Sequence, residues 1–459
     1  MNQYRLSVFF ALAFSVGIFS CSPRLVPVTN TGLAKTNFEH PSWSNNSNIY
    51  EVNLRQYTPE GTIKAFEKSL PRLKEMGVEI LWFMPITPIG VVDRKMDASQ
   101  LGSYYAVKNY REINPEFGTM DDWKNMVKQA HKLGFKVITD WVANHSAPDN
   151  PWISSHPQFY AKDSIGKIIS PFDWTDTRKL DYNNRELRDS MISAMKFWIT
   201  ETGIDGYRCD VADEVPVDFW EESIRELKAV KNDIYMLAEG EKPALHYAGF
   251  DATYAWSIMH LTTDVYAGKK SVAYFDSVLN HNISVFPVNA HRLYFTTNHD
   301  ENSWNGTEFE KYGDAHKAFA VFSQTFFQSI PLIYSGQEAA NKKRLKFFER
   351  DPINWGTYLM APFYKTLLDL RDNNPALAAG AGYKRLITAN DVAIFAYIRQ
   401  SGKNRVAVVL NLSDEPQHFT IKQKEIYGKA KNVFLGTQEK LVENHVYEME
   451  PWGFLVYEY

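Results

Sequence analysis

The chain has 459 residues, of which 44% are hydrophobic and 23% are charged, and its formal net charge is −4 at pH 7. This composition supplies apolar material for a large buried core and excludes a disordered chain, while the length allows two or three domains. Acidic and basic residues are interspersed, which excludes the basic surface typical of nucleic-acid binding and favours neutral partners.

The N-terminus carries the pattern of an export signal. Arg5 is followed by an apolar stretch, residues 6–18, and a serine precedes Cys21. The stretch is shorter than a membrane-spanning helix, and a small residue before the cleavage point is typical of a secretory signal peptide. We therefore expect residues 1–20 to be a signal peptide that is removed and residues 21–47 to be a polar tether.

The cysteine at the cleavage point makes this segment resemble a bacterial lipoprotein signal. That resemblance implies that Cys21 becomes the lipidated first residue, and that the protein is anchored by lipid in the cell envelope, on its periplasmic or outer-membrane face. The only other cysteine is Cys209, so a mature chain offers it no disulfide partner. We expect Cys209 to be a small buried residue within a strand.

Past the tether, apolar runs typical of buried strands alternate with amphipathic stretches typical of helices. The apolar runs are residues 49–53, 79–85, 136–142, 204–211, 234–238, 249–254, 291–297 and 331–334. The helical patterns include residues 62–76, 120–133, 185–202, 216–230, 314–328 and 358–370. Eight alternations in about 330 residues favour a closed (β/α)8 TIM barrel over an open doubly wound sheet. We assign this α/β barrel to residues 48–375.

Two segments depart from the bare barrel. Residues 146–183 follow the third predicted strand, are rich in Pro, Asp and Trp, and have no clear periodicity. Loops of that length are usually functional, so we interpret this segment as a short inserted loop domain over the barrel mouth. Residues 376–459 contain short alternating runs separated by Gly, Asn and Asp, which predict a C-terminal antiparallel β domain, a β-sandwich.

Three acidic residues stand at or just past the ends of apolar runs: Asp210, Glu239 and Asp300. A buried strand that stops at a carboxylate delivers an ionisable group to the rim of the sheet, where α/β barrels keep their catalytic residues. A lone aspartate in such a position, as Asp140 would be, is more often a helix cap or a loop ion pair. The three residues together favour a carboxylate active site.

At these positions the chain resembles the α-amylase family of retaining glycoside hydrolases. The matching segments are DWVANH (residues 140–145), GYRCD (residues 206–210), Glu239 and FTTNHD (residues 295–300), in the order and spacing of the family's four signature regions. The resemblance covers about residues 47–459, including the family's C-terminal β-sandwich.

The resemblance implies a role for each carboxylate. Retaining cleavage needs one carboxylate that attacks the anomeric carbon and one carboxylic acid that protonates the leaving oxygen, about 5 to 5.5 Å apart. By position in the motifs, Asp210 is the nucleophile and Glu239 is the acid/base. The pKa of Glu239 should be raised by burial and by neighbouring carboxylates. Asp300 would bind sugar hydroxyls and help to distort the ring.

Four further residues are predicted to bind substrate. Arg208 lies two residues before Asp210, hence on the same face of the strand, where it can keep Asp210 ionised by ion pairing. His145 and His299 would donate hydrogen bonds that strengthen in the transition state. Tyr105 resembles the family's tyrosine that stacks on the sugar at the cleaved bond. For Trp152, Trp174 and Trp304, which we place in mouth loops, sugar stacking and loop packing remain alternatives.

The expected substrate is an α-glucan or maltooligosaccharide, and the chemistry requires no cofactor. The resemblance also allows a structural calcium ion, with Asn144 as one ligand. Starch-degrading relatives often have Lys and His three and four residues after the nucleophile, whereas this chain has Asp213 and Glu214. Three functions stay open: a secreted hydrolase, a transglycosylase with the same covalent intermediate, and a non-catalytic glycan-binding lipoprotein.

Overall fold

The computed structural model describes residues 34–95 and 100–459. The predicted signal peptide and Cys21 lie outside these residues. Within the described ranges, no helix has the length and apolar character needed to cross a membrane.

Eight parallel strands close into a barrel in which each strand pairs with its neighbours in chain order and β1 pairs with β8. They are β1 (Ile49–Val52), β2 (Ile80–Phe83), β3 (Lys136–Val142), β4 (Gly206–Asp210), β5 (Tyr235–Ala238), β6 (Ala252–Tyr254), β7 (His291–Tyr294) and β8 (Ser329–Tyr334). All eight overlap the apolar runs in the sequence, which confirms the predicted barrel.

Helices surround the barrel. The α-helices span Leu54–Tyr57, Ile63–Glu67, Leu70–Met76, Met120–Lys132, Trp152–Ser155, Arg185–Thr202, Val217–Val230, Ala244–Tyr247, Trp256–Tyr266, Val272–Val285, Glu308–Tyr312, His316–Thr325 and Ala361–Asn373. The helix predicted over residues 62–76 was wrong as one element, because Pro71 stands in the first turn of a second helix. Proline is tolerated in a first turn, but inside a continuous helix its ring would clash with the carbonyl four residues earlier.

The barrel interior is a packed apolar layer below the mouth. Ile49, Trp82, Ile138, Leu237 and Leu293 come from five different strands and belong to one buried cluster. Burying each such side chain contributes about 1.5 to 3 kcal/mol, so this layer fixes the closure of the barrel. Because both faces of the sheet are covered, the strands are apolar almost throughout, and a charged residue within them stands out.

The segment after β3 folds back on the barrel mouth. His145 and Ser146 form a two-residue antiparallel ladder with residues 178–179. The Tyr182 hydroxyl donates to the Ala143 carbonyl at 2.7 Å and so fastens the return of the segment to the end of β3. The insertion therefore returns to the end of β3, on one side of the mouth.

A C-terminal antiparallel β region follows the barrel. Its strands are β9 (Gly382–Leu386), β10 (Ile394–Ser401), β11 (Asn404–Asn411), β12 (Gln417–Thr420), β13 (Gly428–Asn432), β14 (Gln438–Leu441), β15 (Val446–Met449) and β16 (Phe454–Glu458). Six strands pair in the order β9-β10-β11-β16-β13-β14, and β12 pairs with β15. The short alternating runs in the sequence, at residues 392–398, 405–412, 417–421 and 454–457, identified only β10, β11, β12 and β16.

Candidate active site

The buried guanidinium of Arg208, in β4, lies at the centre of the barrel mouth. Its Nη1 donates to Asp210 Oδ1 at 2.8 Å and to Asp140 Oδ1 at 3.0 Å. Its Nη2 lies 2.9 Å from Glu239 Oε2, an ion pair without the angle of a hydrogen bond. Its Nε donates to the Tyr254 hydroxyl at 3.2 Å. One cation therefore holds carboxyls from the ends of three neighbouring strands, β3, β4 and β5.

Glu239 is positioned by the backbone that follows the β4 strand. The Val211 N–H donates to Glu239 Oε2 at 2.8 Å. Val211 has φ of 36°, a left-handed conformation that is strained for a β-branched residue. Strain of this kind persists where the surroundings enforce it, and it recurs at active sites. The turn thus presents a backbone donor to Glu239 directly beside Asp210.

His299, Tyr105 and Asp300 form the opposite side of the mouth. The Tyr105 hydroxyl lies 2.8 Å from His299 Nε2 and donates to Asp140 Oδ2 at 3.1 Å. His299 Nε2 is also 3.3 Å from Asp300 Oδ2. The Tyr105 and His299 rings are nearly parallel, with an interplanar angle of 22°. The predicted sugar-binding residues are therefore linked to the Arg208 cluster through Asp140.

His145 lies on the third side of the mouth, at the start of the insertion. Burial lowers its pKa to about 3, so the imidazole is neutral at physiological pH. Its ring contacts Trp174 edge-on, with the ring centroids 5.3 Å apart. A neutral imidazole retains one N–H that can donate to a sugar hydroxyl.

These groups meet at a cleft of about 440 Å³. Asp210, Glu239, Asp300, Tyr105 and His145 line it, whereas Arg208 and His299 lie buried behind the lining. The aromatic part of the wall consists of Trp174, Trp304, Phe347 and Phe348. All seven residues predicted to act on substrate are thus brought to one place. Their chemical roles stay predictions.

The three mouth tryptophans separate into two groups. Trp174 and Trp304 line the cleft, and Trp304 is 54% exposed. Trp152 instead packs on Tyr110, with the ring centroids 5.0 Å apart, away from the cleft. Trp152 therefore packs against a neighbouring loop residue, whereas Trp174 and Trp304 lie where they can stack on a sugar.

Burial raises the pKa of each carboxyl in the Arg208 cluster. Burial raises the pKa of Asp210, Arg208 opposes the rise, and Asp300 adds to it. The pKa of Glu239 is raised by burial and by Asp210, again against Arg208. The pKa of Asp140 reaches about 7, also through burial. Several carboxyls share one guanidinium, so a proton can be retained in this cluster near neutral pH.

A second cavity of about 380 Å³ adjoins the cleft and shares Trp174, Val211 and Glu239 with it. Its other lining residues are Phe172, Asp213, Glu214, Gly240, Glu241 and Trp256. Asp213 and Glu214, which stand where starch-degrading relatives often have Lys and His, therefore face this second cavity. Glu239 stands between the two cavities.

Three residues of the cluster were missed from the sequence: Glu51, Asp140 and Tyr254. Asp140 pairs in register with Arg208 across β3 and β4, and both side chains are buried. A signal was available, because Glu51 and Asp140 are charged residues within strands that are otherwise apolar. Tyr254 ends β6, and an aromatic residue there gives no signal that separates it from the core.

Asn144, which the resemblance allows as a calcium ligand, lies buried just past β3, and a calcium ion there stays a prediction. The side-chain Nδ2 of Asn144 lies 3.3 Å from His145 Nδ1, and the backbone carbonyl of Asn144 accepts from the Leu180 N–H. Calcium requires six to eight oxygen ligands, usually with several carboxylates. Among residues 34–95 and 100–459, no group of three or more His, Cys, Asp or Glu side chains is arranged to hold a metal ion.

Comparison with known proteins adds an independent line of evidence. The family model described as "Alpha amylase, catalytic domain" matches residues 41–176 and 170–355. The crystal structure of a maltogenic alpha-amylase from Thermotoga neapolitana superposes with a TM-score of 0.81 at 29% identity, covering 90% of this chain and 99% of that one.

Two curated relatives differ in the reactions that their names describe. Alpha-amylase 2 of Dictyoglomus thermophilum is 25% identical over 88% of this chain and 75% of its own length. The alpha-1,4-glucan:maltose-1-phosphate maltosyltransferase 1 of Streptomyces coelicolor is 26% identical over 79% of this chain and 57% of its own length. Hydrolases and transferases thus both occur among the relatives.

Proposed function

Because this chain belongs to the alpha-amylase family of glycoside hydrolases and transglycosylases, we propose that it hydrolyses α-glucosidic bonds of starch-derived oligosaccharides with retention of configuration. The chain is an enzyme of this family, and its chemistry needs no cofactor because carboxyl groups supply both the attack and the proton. The relatives named above act on glucans or maltose derivatives according to their names, which supports an α-glucan substrate.

One observation carries the proposal: Asp210 and Glu239, from neighbouring strands, both contact the guanidinium of Arg208 at the cleft. In the first step Asp210 attacks the anomeric carbon while protonated Glu239 gives its proton to the leaving oxygen, which leaves a glycosyl ester on Asp210. In the second step Glu239 takes a proton from water, and that water releases the sugar. Arg208 stabilises the carboxylate form of Asp210 before attack and after release.

The remaining cleft residues would position the sugar. Asp300 can accept hydrogen bonds from hydroxyls, and the buried His299 behind it fixes its orientation at 3.3 Å. Tyr105 presents its ring to the cleft and is held by hydrogen bonds at its hydroxyl end to His299 and Asp140. A ring fixed in this way stacks on a sugar at little cost in side-chain entropy.

Proton NMR of the first product formed from a maltooligosaccharide tests this proposal. We expect the α anomer to appear first and the β anomer to grow in only by mutarotation. Asp210→Asn, purified in parallel, is the control that excludes a contaminating glycosidase. Initial release of the β anomer would reject the double displacement.

Transglycosylation is the second candidate, and the cavity next to Glu239 favours it. Its walls include Phe172, Trp174 and Trp256, so a sugar acceptor could stack there on the side where the leaving group departs. Adding rising concentrations of glucose or maltose as acceptor separates the two reactions. A hydrolase keeps releasing reducing sugar, whereas a transglycosylase forms longer oligosaccharides in proportion to acceptor.

We also propose that the mature protein begins at Cys21 and is exported with lipid on that residue. The support is the apolar stretch of residues 6–18 and the serine before Cys21. Mass spectrometry of protein from the membrane fraction tests the proposal by the mass of the N-terminal peptide. An unlipidated N-terminus downstream of Cys21 would reject it.

A further inference from the structure

A buried carboxyl lies beneath the cleft, in β1, outside the roles described so far. Glu51 has no exposed surface, and its Oε1 lies 2.5 Å from His299 Nδ1. Its Oε2 is buried and has no hydrogen-bond partner in the described structure. Burying a carboxylate is costly unless it is paired, and the contact to His299 is the pairing that offsets this cost.

Both nitrogens of His299 face acceptors. Nδ1 faces Glu51, while Nε2 faces the Tyr105 hydroxyl at 2.8 Å and Asp300 Oδ2 at 3.3 Å. The Tyr105 hydroxyl gives its own proton to Asp140, so toward His299 it accepts. A neutral imidazole has a single N–H and would turn a lone pair toward one of these oxygens. The doubly protonated ring satisfies both sides.

Charged groups from several elements determine whether His299 stays doubly protonated. Arg208, in β4, disfavours a second cation, and burial disfavours it more. Asp300, in the same loop as His299, and Glu51, in β1, favour it, and together they raise the pKa of His299 to about 9. Asp140, in β3, faces the ring through Tyr105. On the sides of the His299 ring that face β1 and the cleft, the neighbouring charges are therefore mainly those of carboxylates.

We propose that Glu51 is a positioning residue that keeps His299 doubly protonated, with its Nε2–H directed toward Asp300 and the sugar. Glu51 contacts no part of the cleft itself, because it is absent from the lining and lies behind His299. Its effect on the reaction passes through His299, and this kinetic part of the inference rests on the proposed function.

The charge balance of the mouth explains why a second cation matters. Asp140, Asp210 and Glu239 share the single guanidinium of Arg208. Protonated His299 adds a positive charge that favours the ionised forms of Asp210 and Asp300. Loss of that proton would make the ionised form of Asp210 less stable and would remove the N–H that orients Asp300. Activity should therefore fall when His299 loses its proton.

Glu51→Gln tests the inference, because the amide keeps the shape of the side chain and removes its charge. In Glu51→Gln we expect kcat/KM on maltooligosaccharides to fall below the wild-type value by a factor that grows as pH rises, because losing an adjacent opposite charge typically lowers a pKa by about 1 to 3 units and His299 then loses its second proton at lower pH. Glu51→Asp, which keeps the charge, should restore most of this activity. Glu308→Gln is the matched control: it removes another buried carboxyl, which contacts Gln337 and Thr296 and lies apart from His299.

A titration of His299 followed by NMR of ¹⁵N-histidine-labelled protein, assigned with His299→Gln, tests the same inference without activity. We expect a protonated ring at pH 7 in the wild type and a lower titration midpoint in Glu51→Gln. A neutral ring at pH 7 in the wild type, or an unchanged midpoint in folded Glu51→Gln, would overturn the inference. If Glu51→Gln does not fold, a neutral His299 ring in the wild type at pH 7 still overturns the inference. An inactive wild type with a protonated His299 would reject the proposed function alone.

Discussion

The two ends of strand β4 bury aspartates in opposite electrostatic settings. Asp205, just before the strand, accepts from His131, Lys231 and the Val137 N–H at 2.7, 2.8 and 2.8 Å, and Lys136 approaches it at 3.3 Å. Asp210, at the other end, shares the guanidinium of Arg208 with further carboxyls. Asp205 is surrounded by hydrogen-bond donors, whereas Asp210 shares its donor, Arg208, with Asp140 and Glu239.

The pKa values of the two residues follow this difference. Burial alone would raise both, but His131 and Lys231 hold the pKa of Asp205 below its ordinary value. At Asp210 burial prevails and the pKa is raised. Burial alone therefore does not decide the protonation of these two carboxyls; the number of hydrogen-bond donors and cations available to each one decides whether burial prevails. The lower end of β4 stabilises the fold, and the upper end is suited to proton transfer.

The largest effect that this comparison predicts is the loss of activity in Asp210→Asn. The attacking oxygen is removed and no other residue takes its place, so kcat should fall by roughly 10⁴-fold or more on every substrate. Stability should not fall, because Asp140 and Glu239 then share Arg208 with one carboxylate fewer. Steady-state kinetics and urea unfolding would show both results. A variant that loses stability along with activity would contradict the contrast between the two ends.

Glu239→Ala should show a loss that depends on the leaving group. On natural glucans the loss should be about 10²- to 10⁴-fold, the usual contribution of general acid catalysis. On an α-glucosyl fluoride, whose leaving group needs no proton, the first step should lose much less. Added azide should attack the stranded glycosyl ester and give an azide of retained configuration, identified by NMR. If Asp210→Ala shows this behaviour instead, the two roles are reversed.

Asp205→Asn should show the complementary result. Removing the charge leaves Lys231, Lys136 and His131 without their shared partner; because these three cations are partly exposed, the cost should lie near the lower end of the about 3 to 5 kcal/mol found for fully buried pairs. Urea unfolding should report a loss of this order, while kcat of the folded enzyme should stay near the wild-type value. A large fall in kcat with unchanged stability would place Asp205 in the chemistry and remove the contrast.

The smallest predicted effect is a difference in acid sensitivity. The folded pKa of Asp205 lies below its unfolded value, so its contribution is fully present above the unfolded pKa and is lost as pH falls through the folded one. Between pH 6 and pH 3 the urea midpoint of the wild type should therefore fall further than that of Asp205→Asn. Equal slopes in the two proteins would show that Asp205 does not contribute in this way.

The upper end of β4 could be predicted from the sequence to a large extent. An apolar run that ends in a carboxylate placed Asp210 at the barrel rim, and the two-residue period of a strand placed Arg208 on its face; their 2.8 Å contact confirms that geometry. The roles of Asp210 and Glu239 came from the family resemblance, and they stay predictions.

Other features required distances that a sequence does not contain. Glu51 and His299 are 248 residues apart, and only closure of the barrel between β8 and β1 brings β1 beside the loop after β7. The strands β13 and β14 were missed because β14 is the edge strand of the sheet, β13 is next to it, and both carry exposed charged residues, so neither has an apolar run. The raised pKa of Asp140 depends on the β3 and β4 register, which composition does not determine.

The central claim is that Asp210 forms the covalent bond to the sugar, and trapping that ester tests it most directly. Glu239→Ala should be incubated with an α-maltosyl fluoride, quenched in acid, digested and analysed by mass spectrometry. The account predicts that the peptide containing Asp210 gains the mass of one maltosyl group, with fragmentation that places it on Asp210. A sugar attached to Asp300 or Asp140, or turnover without any ester in rapid-quench samples, would contradict it.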